Sequence, residues 1–131
     1  MAKKILLADD DPEVVDATSM LLEDEGYEVI TAKDGAEALE KIKEENPDLL
    51  ILDLLMPHVD GFGVFKALED PAFAKWSKIP IIILTSVRRE VSNRRYELET
   101  GRSMSYGAYL EKPAEPDELL ATVSSLIGNA G

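Results

Sequence analysis

Apolar residues gather in five short runs separated by stretches with a different rhythm. The runs are Ile5 to Ala8, Tyr27 to Thr31, Leu49 to Leu52, Ile79 to Leu84 and Ala108 to Leu110, each of strand length. Between them, apolar side chains return every three or four residues, the period of a helix with one buried stripe. Val14, Thr18, Leu21 and Leu22 form the first stripe, with Asp11 placed to cap it, Pro12 at the first helical position and Gly26 as its stop. Asp34 and Glu37 make a capping-box-like pair ahead of Ala38, Leu39 and Ile42, and Pro47 follows that helix. A third helix starts near Gly61 and carries Val64, Phe65 and Leu68 before a connection over residues 71–78. A fourth lies between Arg88 and Ser103, with Val91, Tyr96 and Leu98 as its apolar positions and Gly101 at its end. The last begins at Pro116 and presents Leu119, Leu120, Val123, Leu126 and Ile127.

Five strands alternating with five helices predict an α/β fold: a doubly wound five-stranded parallel sheet covered on both faces, a flavodoxin-like (βα)5 sandwich. The continuous apolar runs at 49–52 and 80–84 read as strands buried on both sides. In an open parallel sheet, functional groups collect at the carboxyl ends of the strands. The residues standing there are Asp9 and Asp10 after the first run, Asp53 after the third, Thr85 with Ser86 after the fourth, and Lys112 ahead of Pro113 after the fifth. Thr31 is all that the second run offers. Three carboxylates, a hydroxyl and an amine thus converge on one edge.

Composition narrows the chemistry. A length of 131 residues with 45% hydrophobic content suits one domain spanning residues 1–131, and no linker, internal repeat or low-complexity tract divides it. The absence of cysteine excludes disulfides, thiolate catalysis and sulfur-ligated metals. The start MAKK enters the first strand directly and no apolar run could span a bilayer, so the expected location is cytoplasmic, with no membrane partner. A net charge of −12 argues against direct contact with nucleic acid. Against that acidic background all five arginines, Arg88, Arg89, Arg94, Arg95 and Arg102, fall in one stretch that holds only Glu90, Glu97 and Glu99 in return.

Asp9, Asp10 and Asp11 stand in a row at the end of a buried strand. Two such charges about 4 Å apart repel by roughly 4 kcal/mol at an effective dielectric near 20. An all-oxygen cluster lacking His or Cys suits a hard cation such as Mg²⁺, which offsets that repulsion. A carboxylate held beside the metal can attack phosphorus, while the lysine and the hydroxyl neutralise charge on the phosphoryl oxygens. Asp11 reads better as a helix cap than as a ligand. His58, the lone histidine, lies in the loop after Asp53 and reads as a surface residue.

The combination LLADDDP, LLILDLLMPHVDGFGV, IPIIILTSV and YLEKP resembles, in order and spacing, the receiver domains of bacterial two-component response regulators. The resemblance covers essentially the whole chain. It implies that Asp53 is the phosphoacceptor, loaded from the phosphohistidine of a histidine kinase or phosphotransfer protein. It implies that Asp10, Asp53 and the backbone carbonyl of Leu55 bind Mg²⁺, with Asp9 acting mainly through a water. Lys112 would pair with the phosphoryl group, Thr85 would move to hydrogen-bond it, and Tyr109 matches the family's switch aromatic. The output would pass to a downstream protein partner or a fused output domain, and the chain would be a signalling phosphoacceptor rather than an enzyme with an outside substrate.

Two features depart from the family's pattern. Met104, Ser105 and Tyr106 replace the usual Ala-Gly-Ala before the fifth strand, and the interval from Thr85 to Lys112 is longer by roughly one helical turn. The arginine-rich stretch reads either as a docking face for an acidic partner or as a solvated helix whose arginines pair with Glu90, Glu97 and Glu99. Two other functions compete. The Asp-x-Asp at 9 to 11 has the pattern of haloacid dehalogenase-like phosphatases, but no cap insertion accompanies it. A nucleotide or flavin site ranks last, since no G-x-G-x-x-G or P-loop follows any strand.

Overall fold

The computed structural model describes residues 2–130. Its strands are β1 (Lys4–Ala8), β2 (Glu28–Ala32), β3 (Leu49–Leu52), β4 (Ile81–Thr85) and β5 (Ala108–Glu111). Its helices are α1 (Pro12–Asp24), α2 (Gly35–Glu45), α3 (Gly61–Leu68), α4 (Arg89–Thr100) and α5 (Pro116–Ile127). The boundaries follow the caps read from the sequence. The Asp11 carboxylate accepts the Glu13 N–H ahead of Pro12, and the Asp34 carboxylate accepts the Glu37 N–H. Gly101 ends α4 in the left-handed conformation that glycine adopts without steric cost. A 3-10 turn over Pro71–Trp76 fills the connection that the sequence left open; Trp76 anchors it by donating its indole N–H to Asn46.

All four strand pairings are parallel and the order across the sheet is β2-β1-β3-β4-β5. That order reverses direction between β1 and β3, the place where an open α/β sheet opens a crevice at its carboxyl edge. Strands β3 and β4 are buried along their whole length, as their continuous apolar runs required. Alternate residues feed two cores. Leu6, Leu50, Leu52 and Ile83 pack under α2 and α3 with Phe62, Phe65 and Tyr96, whereas Ile5, Leu7, Ile51 and Ile82 pack under α1 and α5 with Leu22, Leu119 and Val123.

Helix α3 begins hard against the end of β3. The Gly61 N–H donates to the Leu54 carbonyl at 3.1 Å, and a Cβ on Gly61 would lie 2.5 Å from the Asp53 carbonyl oxygen and 2.7 Å from Leu54 Cα. The obstructing atoms are backbone, so nothing flexible can yield. Gly61→Ala is expected to lower stability by about 2 kcal/mol, the usual cost of overpacking, and a urea unfolding curve would show it as an earlier midpoint with an unchanged slope.

Helix α4 differs from its sequence reading. Val91 and Leu98, two of its three apolar positions, are 52% and 75% exposed, and the residues it buries are Ser92 and Tyr96. An apolar residue marks a core position only when its neighbours on the wheel agree, and here arginines and glutamates surround both. Met104, in the segment that departs from the family's pattern, joins the core beneath α3.

Candidate functional site

The crevice at the β1/β3 reversal holds the acidic residues. Asp9 leaves β1 with its backbone N–H tied to the Ala32 carbonyl at 3.0 Å, and Asp53 leaves β3 with its N–H tied to Ala8 at 3.0 Å. The sheet's own hydrogen bonds therefore fix the two acids side by side. Asp9 and Asp53 are buried and Asp10 is exposed at the lip; one carboxylate oxygen from each of the three falls within 4.8 Å of the others. Asp9 Oδ1 accepts the Asp11 N–H at 3.0 Å and Asp53 Oδ1 accepts the Leu55 N–H at 3.1 Å. These short-range bonds orient the remaining oxygens, Asp9 Oδ2 and Asp53 Oδ2, toward one point.

Lys112 occupies that point. Its backbone N–H donates to the Thr85 carbonyl at 2.8 Å, continuing the β4–β5 ladder past Glu111, and its ammonium lies 2.7 Å from Asp9 Oδ2 and 3.0 Å from Asp53 Oδ2. The family resemblance leads one to expect Lys112 beside Asp53; the still shorter contact with Asp9 emerges only from the structure. Burial pushes the Asp9 carboxyl above its ordinary value, and the hydrogen bonds from Lys112 and the Asp11 amide offset only part of that. Burial alone would lower the Lys112 ammonium, but its bonds to Asp9 and Asp53 raise it overall, so it stays charged well into the alkaline range.

Thr85 closes β4 and is fully buried, with its Oγ1 3.5 Å from the Val87 amide. Tyr109 on β5 points its ring toward the start of α4: its hydroxyl donates to the Val87 carbonyl at 2.6 Å and lies 2.8 Å from Ser92 Oγ. Tyr106, beside it, meets the Tyr109 ring edge-on at 5.6 Å; its hydroxyl accepts from Arg89 at 3.0 Å and donates to Asn93 at 3.2 Å. Ser92 and Tyr106 were not among the candidate residues. The departure from Ala-Gly-Ala at 104–106 was the one available signal for Tyr106, and Ser92 carried none. His58 stands exposed in the β3–α3 loop with Nδ1 3.2 Å from the Asp34 carboxylate, away from the acid cluster.

The family model of the response regulator receiver domain matches residues 5–124. The chain belongs to that family. As a receiver domain it is similar to the alkaline phosphatase synthesis transcriptional regulatory protein PhoP of Bacillus subtilis (strain 168), with 37% identity over 97% of this chain and 49% of that protein. It is also similar to the probable transcriptional regulator ycf27 of Cyanophora paradoxa, with 42% identity over 95% of this chain and 48% of that protein. This receiver domain thus spans about half the length of these curated relatives. Being transcriptional regulators, they lend no support to the expectation, drawn from charge, that nucleic acid is excluded.

Among solved structures, the chemotaxis response regulator CheY4 of Vibrio cholerae superposes with a TM-score of 0.81 at 31% identity, covering 97% of this chain and all of that one. A CheY-like receiver domain protein from Methanospirillum hungatei JF-1 gives a TM-score of 0.79 at 30% identity, over 95% of this chain and 93% of that one. These neighbours share the five-stranded parallel fold expected from the alternating runs. Receiver domains are signalling modules, which sets aside a nucleotide or flavin carrier. Among the described residues no helix is long and apolar enough to cross a membrane.

Proposed function

We propose that this receiver domain is the phosphoacceptor of a two-component phosphorelay, taking a phosphoryl group onto Asp53 from the phosphohistidine of a histidine kinase or phosphotransfer protein. The observation that carries this reading is the convergence of Asp9, Asp10, Asp53 and Lys112 at the β1/β3 crevice, on bonds supplied by the sheet itself. A carboxylate oxygen of Asp53 attacks phosphorus and forms the new P–O bond. The donor's P–N bond breaks, and its electron pair returns to the imidazole nitrogen. Lys112 then exchanges its contact with Asp53 Oδ2 for one with a phosphoryl oxygen, and its bond to Asp9 keeps the ammonium in place during that exchange.

The donor set fits Mg²⁺: every available ligand atom is oxygen, and one ammonium shared between two buried carboxylates leaves the cluster negatively charged. Asp10, Asp53 and the Leu55 carbonyl would hold the ion directly and Asp9 through a water. When bound it would neutralise charge on the transferring phosphoryl group. Thr85, at the end of β4, supplies a hydroxyl to the acylphosphate by a side-chain rotation, and Tyr109 answers because its hydroxyl bonds the Val87 carbonyl two residues further on. The α4, β5 and α5 face carries this to a downstream protein partner or to a fused output domain. The relatives' double length supports the fused arrangement.

Incubating the pure protein with acetyl phosphate and Mg²⁺ and reading its intact mass tests the proposal. One phosphoryl group should appear on the wild type and none on Asp53→Asn. Labelling retained in the variant would remove Asp53 from its role, and steady turnover of a generic phosphate ester would favour a phosphatase instead.

A further inference from the structure

Helix α4 is held differently from α3, the helix beside it. Helix α3 buries Phe62, Val64, Phe65 and Leu68, whereas α4 buries one large side chain, Tyr96, and the small Ser92. Apolar burial therefore contributes little to fixing α4, and polar contacts on its two flanks must set its position. On the β5 side these are the tyrosine hydroxyls already described. On the α3 side, the Tyr96 hydroxyl donates to Glu69 at 2.7 Å and Arg102 pairs with the same carboxylate. Glu99 accepts from Lys66 of α3 and from Arg95 of α4, both at 3.0 Å. Burial and the Glu69 bond push the Tyr96 phenol up to about 12, so the hydroxyl remains a donor at any physiological pH. Three of the five arginines, Arg89, Arg95 and Arg102, are thus engaged within the fold.

Arg95 alone among these reaches the first turn of α3. Its guanidinium lies over the Phe62 ring, 4.2 Å from the centroid, with one nitrogen 3.7 Å from Asp60 Oδ2. The other oxygen of Asp60 caps α3 by accepting the Gly63 N–H at 2.9 Å. Between these two residues sits Gly61, whose Cα leaves no space for a Cβ against the Asp53 carbonyl. The Gly61 N–H donates to the Leu54 carbonyl, so a displacement of the backbone after Asp53 acts on the first turn of α3, where Asp60 and Phe62 hold the guanidinium.

We propose that Arg95 is a positioning residue that ties the phosphoacceptor loop to α4, giving the state of Asp53 a path to that helix that bypasses Thr85 and Tyr109. The inference rests on the phosphoacceptor reading for its purpose, but the tie itself exists in the resting protein and is testable there. Stacking on Phe62 and pairing with Asp60 together need the planar, charged fork of arginine. The contact is partly exposed, so salt screens it.

Hydrogen exchange followed by peptide mass, on the unphosphorylated chain, decides the matter. Arg95→Gln should speed exchange both over 54–64 and over 89–100, by about two- to fivefold, the range that one partly exposed ion pair supports, with β1 and α5 unchanged. Asp60→Asn, which keeps a capping oxygen but removes the charge, should produce the same pattern more weakly, because the Arg95 contacts with Phe62 and Glu99 remain, and the double variant should add little to Arg95→Gln alone. The difference from wild type should shrink in 1 M salt. Faster exchange over 89–100 with 54–64 at the wild-type rate would overturn the tie, as would additive effects of the two substitutions. A second arm uses Tyr109→Phe loaded with acetyl phosphate and Mg²⁺. Phosphorylation should still alter exchange over 89–100, and Arg95→Gln should abolish that remainder; an unaltered response would overturn the bypass. If intact mass shows no phosphoryl group at all, the phosphoacceptor reading fails, while the resting-state exchange still decides the tie.

Discussion

Lys112→Met is expected to destabilise the protein in metal-free buffer by about 3 kcal/mol, the scale of breaking a buried ion pair from one side. The ammonium is the shared counter-charge of Asp9 and Asp53, both buried, at 2.7 and 3.0 Å. Methionine keeps most of the apolar stem and removes the charge, leaving two desolvated carboxylates facing each other. Urea unfolding in EDTA would measure the loss. Adding Mg²⁺ should recover more stability in the variant than in the wild type, because three acids without an ammonium attract a divalent cation more strongly. Acceptance of phosphate from acetyl phosphate should fall about 100-fold, as for removal of one preorganised charge-stabilising group. A variant as stable as the wild type in EDTA would mean that the Lys112 ammonium is not the counter-charge that holds the two acids together.

Phosphate on Asp53 is expected to be long-lived, and a polar group at residue 55 or 87 should shorten its life by about tenfold or more, the low side of what a positioned group contributes to proton transfer. Leu55 is half exposed beside Asp53 and gives its backbone N–H to the Asp53 carboxylate; Val87 stands two residues past Thr85 and gives its carbonyl to Tyr109. Neither side chain can orient an attacking water, so hydrolysis lacks the help that an amide or acid would give. Decay of the phosphorylated mass after removal of the donor would compare the wild type with Leu55→Asn and Val87→Asn. A wild-type half-life of seconds without any phosphatase would contradict this reading.

The seam between α3 and α4 shows why some of this was legible in the sequence and some was not. Strand and helix order followed from periodicity, because a one-residue slip in a strand or a broken stripe in a helix would expose the whole apolar set. The caps at Asp11 and Asp34 were readable because a helix start needs an acceptor within three residues of its free N–H groups. At Val91 and Leu98 apolar character does not mean burial, because α4 has little core to face. Ser92 was invisible: its importance lies in a tyrosine hydroxyl 17 residues away.

The sequence by itself determined the parallel α/β sandwich, the family, and the polar residue that ends each strand, because these depend on local spacing and on the rule that side chains after a strand gather at one edge. Only the tertiary structure decided how those residues share their bonds. That Lys112 lies closer to Asp9 than to Asp53, that Gly61 has no room for a Cβ against the Asp53 carbonyl, and that Arg95 joins α4 to the first turn of α3 all depend on distances that only the folded chain sets. Charges and hydroxyls have no period, so their partners become known only when the packing of the apolar faces has brought the helices together.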